Sequence, residues 1–206
     1  MRITILLFIL FVGCKNKCFE TEGQFYKWLN DEENGLIKSY VDESGSITVK
    51  YLPPEYLAYN ELKSISFTKG QFDSVFADHQ NNMCFLISLE SSGKYGKSEM
   101  LLNNADDMGD FKRKVHELSF QSDEFISLFN GEEELLGSYS ALENIYNIDN
   151  KKNIIVVFPL NPKSMDNQEV YLQIDDPVFD SGLHKFLFKR EDFNNLPEFN
   201  FIKNTI

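Results

Sequence analysis

Cysteine and histidine side chains are the first candidates for nucleophilic or metal chemistry in this 206-residue chain. The chain contains three of each, which are Cys14, Cys18, Cys84, His79, His116 and His184. No two cysteines form a C-x-x-C pair, and no cysteine lies in a cluster with histidine, so the spacing gives little support to a zinc site. The sequence therefore predicts no metal site and no cofactor.

The three histidines are far apart in the sequence, and each is expected to pack at the rim of the core instead of acting as a catalyst. His79 extends the apolar face of a predicted helix. His116 follows Val115, and His184 shares a strand face with Phe186. No G-x-S-x-G nucleophile elbow supports a Ser/His/Asp set. The sequence therefore assigns no catalytic residue.

Gly96-Lys97-Ser98 matches the end of a phosphate-binding P-loop and follows a predicted strand. The motif requires a glycine five residues before Gly96, so that the loop can fold its amides around the phosphates. Ser91 occupies that position. The stretch 91–98 is therefore interpreted as a Gly/Ser/Lys loop, and no nucleotide is expected to bind there.

Three acidic clusters suggest calcium ligands, since Ca²⁺ prefers carboxylate oxygens. They are Asp106-Asp107-Asp110, Glu132-Glu133-Glu134 and Asp175-Asp176-Asp180. None has the alternating oxygens, central glycine and terminal glutamate of an EF-hand loop. The third cluster fits best, because it lies in a turn where backbone carbonyls can join the ligands. A solvated hairpin turn is the preferred interpretation.

The N-terminal stretch decides where the chain is expected to reside. Arg2 precedes an apolar run, residues 3–12, that is broken only by Thr4 and ends at Gly13 and Cys14. Ten residues span ~15 Å as a helix, about half of a ~30 Å hydrocarbon core. The run is too short to cross a membrane and suits the apolar region of a secretory signal peptide.

Phe11-Val12-Gly13-Cys14 resembles the lipobox of bacterial lipoproteins, with Phe11 where leucine is usual. The resemblance implies removal of residues 1–13, a diacylglycerol on the Cys14 thiol, and a fatty acid such as palmitate on the new amino group. The residue that follows Cys14 is Lys15 and not aspartate, and by the same resemblance this implies the outer membrane. Whether the anchor lies in the periplasmic or the surface-facing leaflet is left open. The alternative is an ordinary cleaved signal in which Cys14 is incidental.

Composition limits the partners of the mature chain. The net charge of the full chain is −12, and loss of Arg2 with the signal makes that of the mature chain −13. Such a charge repels nucleic acid and anionic membranes, so a lipid and not a basic patch is expected to hold the protein at the membrane. Residues 14–23 are expected to form a tether and residues 24–206 a single domain. An exported protein permits a disulfide between Cys18 and Cys84, although Cys84 lies in an apolar run and is expected to be a buried thiol.

Periodicity and turn residues predict mostly hairpin-connected strands with helices between them. Helices or helical turns are predicted at 24–30, 55–63, 70–79, 107–120, 122–130 and 191–197. Strands are predicted at 36–41, 46–52, 83–89, 135–148, 153–160, 169–174 and 183–190. Within the helix 107–120, residues Lys112, Arg113 and Lys114 are expected on the solvent side. The pattern favours an α+β domain with an antiparallel sheet and helices clustered mid-chain.

The preferred function is a non-enzymatic binding or accessory module, lipid-anchored in the cell envelope, that recruits an envelope protein or a small ligand. The stretch 51–56 (YLPPEY), with Trp28 and the later DDPVF, resembles uncharacterised small exported lipoproteins, which implies no activity. That stretch is expected to be a packed strand-to-helix corner, with a ligand groove as the alternative. Two functions remain open: an envelope glycan or peptide hydrolase using paired carboxylates, and an immunity or inhibitor protein whose acidity steers a basic toxin. A deep cleft with convergent catalytic groups would favour an enzyme, and an exposed apolar patch would favour a binding module.

Overall fold

The structure is a computed structural model that describes residues 18–92, 100–143, 150–160, 168–194 and 196–199. The helices in these ranges are α1 (Glu22–Leu29), α2 (Pro54–Leu62), α3 (Lys69–His79), α4 (Met100–Asn103), α5 (Met108–Phe120), α6 (Ser122–Phe125) and α7 (Arg190–Asn194), with a 3-10 helix at Glu32–Asn34. The strands are β1 (Cys18–Phe19), β2 (Ile37–Val41), β3 (Gly45–Leu52), β4 (Asn82–Ser91), β5 (Ile126–Asn130), β6 (Glu133–Leu136), β7 (Tyr139–Glu143), β8 (Lys151–Pro159), β9 (Glu169–Asp175), β10 (Leu183–Lys189) and β11 (Glu198–Phe199).

The longer strands form two antiparallel sheets. One has five strands in the order β2-β3-β4-β8-β7, and the other has four in the order β10-β9-β5-β6. Strands β1 and β11 form a short parallel pair. The two larger sheets meet along their edges, where β10 contacts β2 and β6 contacts β8. Each sheet therefore turns one face toward the other.

The core lies between these two facing surfaces. In β3 and β4 the alternate residues Ile47, Val49, Phe85 and Ile87 are at most 1 % exposed. The four-stranded sheet contributes Phe188, whose ring centroid lies 5.4 Å from that of Phe85. Period-two burial of this kind is what antiparallel strands with one solvated face require. A single buried cluster therefore joins both sheets.

Local sequence explains where several helices begin. Thr21 and Gln24 form a capping box at α1, and Thr68 and Gln71 form one at α3, so two backbone N–H groups at each helix start are satisfied. Helix α2 begins at Pro54, whose fixed φ suits the first turn. None of the helices in the described part of the chain is long and apolar enough to cross a membrane.

The α+β class with antiparallel sheets is confirmed. Most predicted elements lie within a few residues of their observed bounds, and the strand predicted at 153–160 is β8, an interior strand of the five-stranded sheet. The helices are not all mid-chain, because α1 precedes the first hairpin and α7 follows the last long strand. Lys114 is also not on the solvent side of α5, since it is only 9 % exposed.

Two elements between residues 122 and 148 differ from expectation. The predicted helix 122–130 is helical only to Phe125 and continues as β5, because Ile126, Leu128 and Asn130 point into the core while Phe129 does not. The predicted strand 135–148 divides at Gly137-Ser138 into β6 and β7, which belong to different sheets. Residues 144–149 lie outside the described ranges.

The packed part of the chain begins earlier than the predicted boundary at residue 24. Cys18 and Phe19 pair with β11, and Phe19 is 6 % exposed with its ring 5.6 Å from that of Phe25. Cys18 and Cys84 are both free thiols. Cys84 is buried, as predicted, and burial raises the pKa of its thiol to about 12. A thiol that stays protonated is a poor nucleophile, so Cys84 serves packing.

Candidate binding surface

The face of the four-stranded sheet that points away from the core is open to solvent, and we call it the open face. The cross-strand register places on it Leu183, Lys185, Leu187, Lys189, Glu169, Tyr171, Gln173, Asp175, Ser127, Phe129, Glu134 and Leu136. The alternate residues of the same strands form the core side. The open face is therefore a consequence of the strand period of two.

The open face is rich in apolar side chains for a surface. Leu136 is 61 % exposed, Leu183 54 % and Leu187 46 %. Phe129 and Tyr171 are half-buried and stack across β5 and β9, with ring centroids 4.9 Å apart and planes 7° from parallel. None of these five residues belongs to either buried cluster. Leu187, Tyr171 and Phe129 are neighbours in one row across the sheet and Leu136 is diagonal to Phe129, whereas Lys185 separates Leu183 from Leu187. Exposed apolar patches are a common feature of interaction sites.

Charges on the open face are separated by strand. Lys185 and Lys189 lie on the edge strand β10, and the Lys185 Nζ is 4.9 Å from the centroid of the Tyr171 ring. Glu134 lies on the opposite edge strand β6, where its Oε1 accepts a hydrogen bond of 2.6 Å from the Ser127 hydroxyl. Glu134 belongs to one of the predicted acidic clusters. Its carboxylate therefore lies on the open face and is paired with a serine of the neighbouring strand.

A second feature is a polar cleft of about 420 Å³ between the start of α5 and the β9–β10 turn. It brings together two acidic clusters that are 70 residues apart in the sequence, through Asp106, Asp110, Asp176 and Asp180. A deep cleft with convergent carboxylates is the feature that would favour an enzyme. Whether these side chains are free to bind a cation or to act on a substrate depends on the hydrogen bonds that they already make.

The ammonium group of Lys114 occupies the wall of this cleft. Its Nζ donates to the backbone carbonyls of Asn104 and Val178, at 3.1 Å for the latter, and lies 3.3 Å from Asp110 Oδ2. Arg113 also pairs with Asp110 at 2.5 Å, and this hydrogen bond holds the pKa of the Asp110 carboxyl below its usual range. A protein cation therefore takes the carbonyl and carboxylate oxygens that a bound cation would need.

Replacing Lys114 with methionine is expected to lower the free energy of unfolding by about 2 kcal/mol, because the buried carbonyl of Val178 and the partly buried carbonyl of Asn104 lose their donor. Lys112→Met on the exposed side of α5 is the matched control and is expected to change stability by less than about 0.5 kcal/mol. Urea unfolding measures both. Equal stabilities of the two variants would show that Lys114 does not hold the cleft together.

Asp176, Ser181 and His184 form a hydrogen-bonded chain beside the cleft. Asp176 is 7 % exposed, and its Oδ1 accepts from the amides of Val178 and Phe179. Its Oδ2 accepts from the Ser181 amide and from the Ser181 hydroxyl at 2.5 Å. The carboxylate therefore ties the β9–β10 turn together.

This chain does not have the order of a catalytic triad. In a triad the histidine accepts the serine proton and the carboxylate orients the histidine. Here the Ser181 hydroxyl donates to Asp176, and His184 Nε2 meets the same hydroxyl oxygen at 2.8 Å. The His184 ring also packs on Tyr40, with centroids 3.9 Å apart. Ser181 is therefore not activated as a nucleophile in this arrangement.

The other two histidines lie at helix surfaces. His79 Nε2 is 3.2 Å from Glu61 Oε2, and His116 Nδ1 is 3.0 Å from Gln121 Oε1. The His116 ring also contacts the exposed ring of Phe120. The structure does not bring the three histidines together, and their surroundings match the packing and rim roles predicted from the sequence.

The stretch 51–56 is a packed corner, as predicted. Tyr51, Leu52 and Pro53 are buried at the end of β3, and Tyr56 packs on the core. Burial raises the pKa of the Glu55 carboxyl, whose Oε2 atom is inaccessible and has no hydrogen-bond partner among the residues that the structure describes. Ionisation of this carboxyl is harder in the folded state than in the unfolded chain. The contribution of Glu55 to the free energy of unfolding is therefore fully present below its pKa in the unfolded chain and falls as pH rises above that pKa. An inaccessible oxygen cannot reach a substrate.

Cys14, the predicted lipidation site, and most of the P-loop-like stretch 91–98 lie outside the described ranges. Within those ranges, no group of three or more His, Cys, Asp or Glu side chains is arranged to hold a metal ion. No known family model, characterised protein or solved structure matches the chain. The class that the fold and the open face define is an α+β protein with two antiparallel sheets, one of which has a solvent-exposed face.

Proposed function

We propose that the protein is a non-enzymatic binding module, anchored in the cell envelope by a lipid on Cys14, that recruits a protein partner through the open face. The observation that carries this proposal is the apolar patch formed by the Phe129–Tyr171 pair with Leu187 beside it and Leu136 diagonal to it. Aromatic and aliphatic side chains at the centre of a polar rim are typical of protein–protein interfaces.

The position of the first packed residues supports a module held close to the membrane. Cys18 is four residues along the chain from Cys14, and an extended chain covers at most ~3.6 Å per residue, or roughly 14 Å. Since β1 begins at Cys18, the folded body is held within that distance of the anchor. Lys15 favours the outer membrane. A short tether limits the partner to one that also lies at the membrane surface.

The polar cleft favours binding over hydrolysis as the main activity. Its central cations are paired with carboxylates and backbone carbonyls, and the serine beside it donates to Asp176. The envelope hydrolase considered above needs a free acid and base at a substrate. The open face needs no such groups, because its apolar side chains are already exposed.

Photo-cross-linking in cells that express the full chain tests this function. A benzoylphenylalanine placed at position 187 is expected to give a defined adduct, and the same residue at position 112, outside the open face, is expected to give none. A second probe at position 183 is expected to capture the same adduct. Absence of an adduct at both 183 and 187 would contradict recruitment through this surface.

A further inference from the structure

We propose that the partner of the open face is a second copy of this chain, which forms a face-to-face dimer. This inference rests on the proposed function and identifies the occupant of the same surface. It is carried by the charges and leucines of the two edge strands, which are complementary under one two-fold rotation, while the other carboxylates of the face, Glu169 and Asp175, lie on the inner strand β9. Two-fold dimers are the commonest oligomers because one patch serves both partners.

The register fixes which residues share a level across the sheet. One row reads Leu187, Tyr171, Phe129 and Glu134, from β10 to β6. The next row reads Lys185, Gln173, Ser127 and Leu136. Lys189 lies on the other side of Leu187, opposite Glu169. Both lysines of the face are therefore on one edge strand, and Glu134 is on the other.

The two-fold axis lies between the two copies, runs parallel to the strands and passes between β9 and β5. Rotation about it places each row of one copy over the same row of the other copy, with the order of the four residues reversed. Edge strand β10 of one copy then lies over β6 of the other. Glu134 of one copy meets Leu187 of the other and is flanked diagonally by Lys185 and Lys189. A lysine side chain is long enough to reach a diagonal neighbour one row away.

The same rotation matches the apolar side chains. Leu136 of one copy lies opposite Lys185 of the other and between its Leu183 and Leu187. The two stacked Phe129–Tyr171 pairs meet on the axis, so that four aromatic rings form the centre of the interface. An axis perpendicular to the strands would instead place β10 on β10 and bring lysine against lysine, which is unfavourable.

The size of the face indicates a weak dimer. Strands 4.8 Å apart and about seven residues long give a surface of roughly 400 Å² per copy. This is about half of the ~800 Å² per partner that a standard specific interface buries and has the size of a weak, transient contact, so association of the free protein is expected to depend strongly on concentration. The proposed anchor would confine both copies to one membrane surface and raise their effective concentration.

The test is sedimentation of the full chain, extracted in mild detergent, over a range of concentrations. The native chain is expected to form a dimer. Glu134→Lys places a cation between two lysines and is expected to weaken the dimer at least tenfold. Adding Lys185→Glu and Lys189→Glu to that variant restores opposite charges and is expected to restore dimerisation. The matched control is Asp78→Lys on α3, an equal charge change outside the face that is expected to have no effect.

Each outcome decides the proposal. Rescue by the triple variant supports the two-fold arrangement, since a merely destabilised protein would not be rescued. A native chain that stays monomeric, or a Glu134→Lys variant that dimerises like the native chain, would overturn it. A photo-cross-linked adduct whose mass is not twice that of the chain would overturn the second copy as partner while supporting the proposed function.

Discussion

Replacing Phe85 with alanine is expected to lower the free energy of unfolding by about 3–5 kcal/mol, a large part of the stability of a small domain. Phe85 is fully buried in β4, and its ring lies 5.6 Å from Tyr51, 6.1 Å from Phe158 and 5.4 Å from Phe188. These contacts join three strands of the five-stranded sheet, β3, β4 and β8, to strand β10 of the four-stranded sheet. The truncation leaves a cavity at the point where the sheets meet.

Phe120→Ala is the matched control, because this phenylalanine is 75 % exposed at the end of α5. Its removal is expected to change stability by less than about 0.5 kcal/mol. Urea unfolding followed by circular dichroism measures both variants. A loss below about 1 kcal/mol for Phe85→Ala would mean that the two sheets do not share the core described above.

Replacing Cys14 with serine is expected to move the protein out of the membrane fraction that resists salt and alkaline extraction. Serine has no thiol to carry the diacylglycerol, and two or three acyl chains are what hold a lipoprotein stably in a bilayer. The chain has a net charge of −12, so no electrostatic attraction to an anionic membrane compensates for the loss.

Cys18→Ser is the control for this loss of anchoring. Cys18 is a free, partly exposed thiol in β1, and its replacement leaves the proposed anchor intact. The variant is expected to stay in the membrane fraction. Loss of both variants from the membrane would indicate that disturbance of the N-terminal region, and not loss of the lipid, causes release.

The sequence predicted the strands and helices best where periodicity and turn residues agreed. The hairpin of β2 and β3 shows this, since Ile47, Val49 and Tyr51 alternate with polar residues and a DESG turn precedes them. The helix predicted at 122–130 was wrong because Phe125, Leu128 and Phe129 fit a helical spacing, while β5 buries alternate residues. A short apolar segment satisfies both periods, and only pairing with β9 decides between them.

The open face could not be predicted, because it depends on which strands pair. The stacking of Tyr171 on Phe129 follows from the β5–β9 register across 42 residues of sequence. Leu183 and Leu187 are apolar at outward positions of β10, and this break in the inside–outside alternation was the available signal. Lys114 was misplaced for a similar reason, since its carbonyl partners come from other parts of the chain.

Intact mass spectrometry of the membrane-extracted native protein tests the central claim, a lipid-anchored module, most directly. The result expected is a mature chain that begins at Cys14 and carries the added mass of a diacylglycerol and an amide-linked acyl group. A soluble, unacylated chain would contradict the claim. The open face would then belong to a free exported protein, and its partner would have to be sought in solution and not at the membrane surface.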